Sequence, residues 1–297
     1  MQKISLKTRR ASPHGNLLGI SYIIAASFGF SLMAICVKWI SKDIPSTEIV
    51  FFRSAISTLM FIPIMLHQKI SFRGHDRPML LLRGLSGFIA LSLHFLTIAK
   101  LPLGIAVVLN YTAPIFAVIL AVFFLNEHPD LFLWGMVFLS FSGIFLLTGA
   151  KFQTMDLYIL LGLVSGFFAA IAYVAIRTVG DRDSPLTIIF YFTAISTAGS
   201  VFFIWKDFVW PTPENWIGIF GVSVGAFFGQ LWMTLAYRKA PAALVSPFSY
   251  LTPTFVFIAG AFLWKDPFTF WNTLGAALII LAGCFISLRE ILWESPS

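Results

Sequence analysis

Ten apolar stretches, each close to the length that crosses a bilayer, fix the solvent this chain must fold in. A hydrocarbon core about 30 Å thick takes ~20 residues of helix. The stretches run over Asn16–Trp39, Thr47–Leu66, Met79–Ala99, Leu103–Leu125, Leu131–Gly149, Asp156–Thr178, Leu186–Trp205, Trp216–Tyr237, Ala242–Trp264 and Phe268–Leu288. Lipid satisfies no exposed backbone N–H or C=O, so each stretch must be a helix or join a closed barrel. Barrel strands alternate polar and apolar residues over about 10 positions, and these stretches do not. Charged residues make up 11% of the chain, against about a quarter in a soluble domain. An all-α membrane protein with ten transmembrane helices follows.

The second half of the chain repeats the first. Ile49, Phe51, Ala55, Ile56, Ser57 and Thr58 recur 139 positions on as Ile188, Phe190, Ala194, Ile195, Ser196 and Thr197. The same offset pairs Phe88 with Phe227, Lys100 with Lys239, Pro102 with Pro241, Tyr111 with Tyr250, and Pro114 with Pro253. Each half holds five spans, an odd number, so the second enters the membrane upside down. Two inverted five-helix repeats are expected, one over 16–150 and one over 151–289, flanked by short tails at 1–15 and 290–297. Secondary transporters are built this way, with a site near the midplane between the repeats.

A net charge of +7 suggests nucleic-acid binding only until the charges are placed. Lys3, Lys7, Arg9, Arg10, Lys69, Arg73, Arg77, Arg83, Arg177, Arg182, Arg238, Lys239 and Arg289 gather on one side. Lys38, Lys42, Lys100, Lys151, Lys206 and Lys265 take the other. This asymmetry predicts both termini in the cytoplasm; the acidic loop Glu127–Asp130 is its local exception. Cys36 and Cys284 sit inside spans and read as free thiols. Trp39, Trp205, Trp210, Trp216, Trp264, Trp271 and Trp293 fall near span ends, as in an aromatic belt. The full-length first span, without a convincing cleavage site, argues against a removable signal peptide.

Polar residues inside spans carry the functional expectation, because such groups face protein or a water-filled cavity. Ser27, Ser31, Ala34 and Lys38 share one face of the first span, and Gly166, Ala170, Tyr173 and Arg177 share the matching face of the sixth. The third span aligns Arg83, Gly87, Ala90 and His94, and the eighth carries Ser223, Gln230 and Thr234. Pro114 and Pro253 lie mid-span, where each removes a donor and is expected to free the carbonyl of Asn110 or Ser249. Tyr111 and Tyr250 follow those residues directly. Small-residue packing and inherited kinks are the plainer readings of these stripes and prolines. Arg53 lies inside the second span opposite Phe192 in the repeat; it binds an anionic group, snorkels or braces helices. Gly221-Val222-Ser223-Val224-Gly225 spells a nucleophile-elbow pattern without its strand and helix. An intramembrane Ser223–His94 dyad is therefore set aside, and no catalytic residue is expected. No metal-type cluster, phosphate loop or buried carboxylate is visible, so neither metal nor cofactor is implied.

Phe51-Phe52-Arg53, Leu82-Arg83-Gly84, the run from Ala113-Pro114-Ile115-Phe116 to Phe123-Phe124-Leu125-Asn126-Glu127, and the run from Leu251-Thr252-Pro253 to Trp264-Lys265-Asp266 resemble the EamA group of the drug/metabolite transporter superfamily. The resemblance covers residues ~16–289, and the second-to-fourth-span pattern is similar to bacterial S-adenosylmethionine uptake transporters. It implies a cavity lined by the first, third, fourth, sixth, eighth and ninth spans. Carried over, it favours Ser31, His94, Asn110, Tyr111, Tyr173, Gln230, Ser249 and Tyr250 as substrate-binding, Pro114 and Pro253 as hinges, and leaves Arg53 outside. The expected substrate is a small polar or aromatic metabolite, an amino acid or nucleotide-related compound, anionic or zwitterionic, moved across a bacterial inner membrane by alternating access. A passive channel or lipid scramblase is the alternative of another class. Small molecules and membrane lipids, not nucleic acid, are the expected partners.

Overall fold

The computed structural model describes residues 13–100, 103–148, 157–204, 208–263 and 269–294. The basic tail holding Lys3, Lys7, Arg9 and Arg10, along with Pro102, Lys151, Trp205, Lys206, Trp264 and Lys265, lies outside the described residues. Every regular element among the described residues is helical: α1 (Pro13–Ile40), α2 (Ser46–His67), α3 (Arg77–Lys100), α4 (Leu103–Asn110), α5 (Ala113–Leu125), α6 (Leu131–Thr148), α7 (Leu157–Val179), α8 (Pro185–Val201), α9 (Pro213–Lys239), α10 (Ala242–Val245), a 3-10 turn (Ser246–Tyr250), α11 (Leu251–Leu263) and α12 (Phe270–Glu294). Among the described residues eight spans are long and apolar enough to cross a membrane, and Leu131–Leu147 and Pro185–Val201 are shorter apolar helices.

Local chemistry sets the helix starts. Ser184 caps α8, its hydroxyl accepting from the Leu186 N–H at 3.3 Å, and Pro185 takes the first turn, where no N–H is needed. Thr212 and Pro213 start α9 in the same way. The fourth and ninth spans are each broken. Tyr111 and Thr112 form a turn between α4 and α5, and Pro114 sits in the first turn of the new helix. In the ninth span the 3-10 turn supplies the break before α11. The expected mid-span interruptions are therefore present, and each proline lies at or near the start of a helix, the position its missing donor tolerates best.

Packing follows the repeat. α1 packs along α9 and α3 along α7, and these two contacts are mates under the duplication. α2 packs on its own mate α8, and α6 on its own mate α12. Small residues allow close approach: a Cβ added at Gly225 would lie 2.7 Å from Gly29 O and from Met33 N. The Gly221, Gly225 and Gly229 stripe is thus a packing surface against α1. Ser223 agrees, since its hydroxyl is buried and donates to Ile219 O in its own helix at 2.8 Å.

Several residues touch their own repeat mates. The Thr58 and Thr197 hydroxyls lie 3.4 Å apart. The Tyr111 and Tyr250 rings lie 5.7 Å apart. Arg53 sits over the ring of its mate Phe192 at 5.8 Å. Two equivalent positions can meet only on the axis that relates them, so the pseudo-two-fold axis passes between α2 and α8 and emerges at the two broken spans.

On the side reached after each even-numbered span, charge is paired. Arg177 donates to Glu127 at 2.8 Å, and the other oxygen of Glu127 accepts from the Ala242 N–H at the start of α10. Arg182 pairs with Asp76, Arg238 with Asp181, and Arg289 with Asp130. The acidic Glu127–Asp130 loop, an exception to the charge asymmetry, is therefore the counter-charge for two of the arginines on that side.

Candidate functional site

Three groups of polar side chains lie at the contacts between the helices, two of them on the axis. The first is aromatic. Tyr250 is fully buried, and its hydroxyl donates to the Tyr111 carbonyl at 2.9 Å. The break between α4 and α5 exposes that carbonyl, and the tyrosine of the opposite repeat supplies its partner. Asn110 and Tyr111 are half-buried beside it. Tyr173 of α7 stacks on Tyr237 of α9 at 4.8 Å, and the Tyr237 hydroxyl lies 3.3 Å from Ser246 Oγ. Ser249 donates to Ser246 O, which turns its hydroxyl back into the 3-10 turn.

The second group ties α1 to the broken ninth span. Ser31 Oγ lies 2.6 Å from Ser27 O and 3.1 Å from Thr252 O. Ser27 Oγ reaches Phe248 O at 3.2 Å. Where the first repeat offers Ser27 to the Phe248 carbonyl, the second offers Gly166 to the Leu109 carbonyl, 3.0 Å from where its Cβ would stand. Ser31 opens on its outer flank into a groove of about 320 Å³ between α1 and α11, lined otherwise by Phe28, Leu32, Ile35, Phe255, Ile258 and Ala259. Ser31 is the polar member of a groove otherwise lined by apolar side chains.

The third group is cationic. Arg53 of α2 and Arg83 of α3 are 4% and 2% exposed. Both guanidiniums rest on the Phe192 ring of α8, at 5.8 and 4.3 Å from its centroid. Arg83 Nη2 donates to Gln230 Oε1 at 2.9 Å. Arg53 Nε and Nη1 and Arg83 Nε are buried without a partner. Gly87 makes room for this cluster: a Cβ there would stand 2.3 Å from Arg83 Nη1 and 2.7 Å from the Phe192 ring. His94, about three turns further along α3, is half-buried with an unpartnered Nδ1. No carboxylate among the described residues neutralises either arginine.

Among the expected residues the structure joins Tyr111 to Tyr250, and Gln230 to Arg83. It places Tyr173 against Tyr237, and Ser31 and Ser249 against backbone carbonyls. No described contact joins His94 to the other expected residues. The sequence reading left Arg53 outside the site and did not put Arg83 or Tyr237 forward as substrate-binding; the structure brings both arginines to the Phe192 ring. The signal for Arg53 was its repeat mate, since an arginine and a phenylalanine at one axial position form a cation–π pair. Nothing in the linear order announced that α3 and α9 would complete it.

Comparison with known proteins agrees with this architecture. A solved crystal structure superposes with a TM-score of 0.79 at 17% identity, covering 95% of this chain and 99% of its own, which shows the fold. The pseudopaline exporter of Pseudomonas aeruginosa is 34% identical over 270 residues, with 90% of this chain and 93% of that protein covered. The S-adenosylmethionine uptake transporter of Rickettsia bellii is 25% identical, with 92% and 94% covered. The EamA-like transporter family matches residues 17–149 and again residues 156–288. A multi-pass membrane protein of two such repeats, this chain belongs to the EamA-like transporter family.

Proposed function

We propose that the protein is a secondary carrier of a small polar or aromatic metabolite, an amino acid or nucleotide-related compound, anionic or zwitterionic, working by alternating access. The observation behind this reading is the pair of broken spans meeting on the pseudo-two-fold axis, where Tyr250 bonds the exposed Tyr111 carbonyl. Irregular backbone is tolerated at membrane depth only where it is buried in protein or lines a cavity. A break in each repeat, related by inversion, supplies two equivalent half-sites for inward and outward access. Ser31, His94, Asn110, Tyr111, Tyr173, Gln230, Ser249 and Tyr250 are the substrate-facing candidates, with Pro114 and Pro253 as hinges. A cationic substrate fits poorly, because Arg53 and Arg83 are buried and no carboxylate among the described residues pairs with them; the buried carboxylates Glu48 and Asp183 sit at the start of α2 and in the loop before α8.

S-adenosylmethionine is the alternative substrate suggested by the second-to-fourth-span pattern, and its carboxylate, though not its sulfonium, suits the cationic group. Purified protein in liposomes preloaded with S-adenosylmethionine or single amino acids should give saturable counterflow of labelled external substrate. Unsaturable flux with no counterflow would instead support a channel or scramblase. The same reading has both termini on the cytoplasmic side of a bacterial inner membrane. A reporter that fluoresces only in the cytoplasm, fused to Ser297, should be bright; a dark, full-length, inserted fusion reverses the topology.

A further inference from the structure

We infer that Arg53 and Arg83, mounted on Phe192, form an oxyanion-binding subsite that receives a carboxylate or phosphoryl group of the transported molecule. This inference rests on the carrier reading and assigns the group by which the cargo is held. Removing one partner of a buried charge pair is strongly destabilising because it strands a charge, and here two charges stand without a counter-charge among the described residues. Arg53 has two buried donors unused and Arg83 one. Gln230 satisfies one further donor of Arg83 at 2.9 Å and fixes the fork, but an amide neutralises nothing. A ring shared by both guanidiniums, at 5.8 and 4.3 Å, holds them as neighbours although like charges repel. Gly87 gives Arg83 the room to lie on the Phe192 ring, since a Cβ there would stand 2.3 Å from Arg83 Nη1.

Depth agrees. Arg53 lies about two turns inside the outer end of α2, and Arg83 about two turns inside the inner end of α3, so each Cα is roughly 10 Å from an opposite membrane edge. Both long side chains then reach toward one ring near the midplane, the level at which an inverted-repeat carrier must hold its cargo. A guanidinium fork presents paired N–H donors matched to the two oxygens of a carboxylate or to a phosphoryl group. A structural brace would instead have its donors used by carbonyls or carboxylates of neighbouring helices, as those of Arg177, Arg238 and Arg289 are.

The test uses the full chain in nanodiscs at constant ionic strength, titrated with succinate, inorganic phosphate, succinamide and sodium chloride. Wild type should show saturable thermal stabilisation by succinate or phosphate, and none by succinamide or chloride. Stronger succinate binding assigns the group as carboxylate; stronger phosphate binding assigns it as phosphoryl. Arg53→Gln and Arg83→Gln should each weaken that binding roughly ten- to a hundredfold, the range expected for a charge-assisted bond. Without ligand Arg53→Gln should unfold at a higher temperature than wild type, since it relieves a stranded charge; a brace predicts the reverse. If a glutamine variant does not fold, Arg53→Lys and Arg83→Lys keep the charge but lose the fork, and should bind several-fold more weakly. Equal stabilisation by chloride, or undiminished oxyanion binding in the folded variants, overturns the inference. Undiminished counterflow by Arg53→Gln overturns it while the carrier reading stands. Absent counterflow in wild type with intact, arginine-dependent oxyanion binding removes the carrier reading alone.

Discussion

At the scale of single residues, the two symmetric tyrosines do different work. Tyr250 donates to the Tyr111 carbonyl at 2.9 Å and is fully buried, whereas Tyr111 is half-buried. Tyr250→Phe strands a buried acceptor, which costs about 1–3 kcal/mol. Tyr250→Phe should therefore lower the unfolding temperature in detergent. Tyr111→Phe removes a hydroxyl from the proposed substrate path. That hydroxyl also pairs with Thr252, so the variant should lower the unfolding temperature less than Tyr250→Phe does and weaken substrate binding several-fold, the worth of one neutral hydrogen bond. Equal loss of stability in both variants would assign both hydroxyls to structure. The duplication made these residues look equivalent in the sequence. Only the structure shows that one carbonyl and one hydroxyl make a single bond across the axis, so inversion symmetry is broken at the level of hydrogen bonds.

At the scale of elements, α1 and α9 approach closely through glycine. A Cβ at Gly225 would stand 2.7 Å from two backbone atoms that cannot move aside, whereas one at Gly135 of α6 meets nothing within 4 Å. Gly225→Ala should destabilise by about 1–3 kcal/mol as over-packing. Gly135→Ala should be neutral or stabilise by about 0.5–1 kcal/mol through helix propensity. Thermal unfolding of the two variants side by side checks this pair. Such stripes were readable in the sequence because helical spacing puts residues four apart on one face. Span positions were readable for the same kind of reason, lipid allowing the backbone few options. The partners of each face were not readable: Arg83 and Gln230 are 147 positions apart, and only the packing of α3, α8 and α9 brings them to one ring. Resemblance left Arg53 outside the site, because α2 is not among the spans it assigns to the cavity. The contact of Arg53 with its repeat mate Phe192 depends on the packing of α2 on α8, which a ranking of helices does not carry.

At the scale of the molecule, one side is laced by carboxylates that serve several elements at once. Burial disfavours the Asp183 carboxylate, yet the N–H groups of Asp76 and His75, at 3.0 and 2.6 Å, outweigh it and hold its pKa below the usual 3.8. Arg289 lowers Asp130 in the same direction. A carboxylate whose pKa is depressed by folding contributes stability in full above its unfolded pKa, and loses it as pH falls through the folded value. Asp183→Asn should therefore destabilise the protein at pH 7, and the gap from wild type should close as the pH drops below about 4. Unfolding temperatures across that range measure it. A constant gap would mean that the loop is held by shape alone.

The contact between Arg53 and Phe192 carries a consequence for how such a molecule can be assembled. If two separate copies of one half came together antiparallel, every position on the axis would face itself. Arginine would meet arginine and repel, or phenylalanine would meet phenylalanine and hold no charge. Joining both halves in one chain lets the two sides of the axis differ, so a cation can be set against a ring. Covalent continuity thereby permits a heterotypic pairing that self-association of identical halves cannot produce.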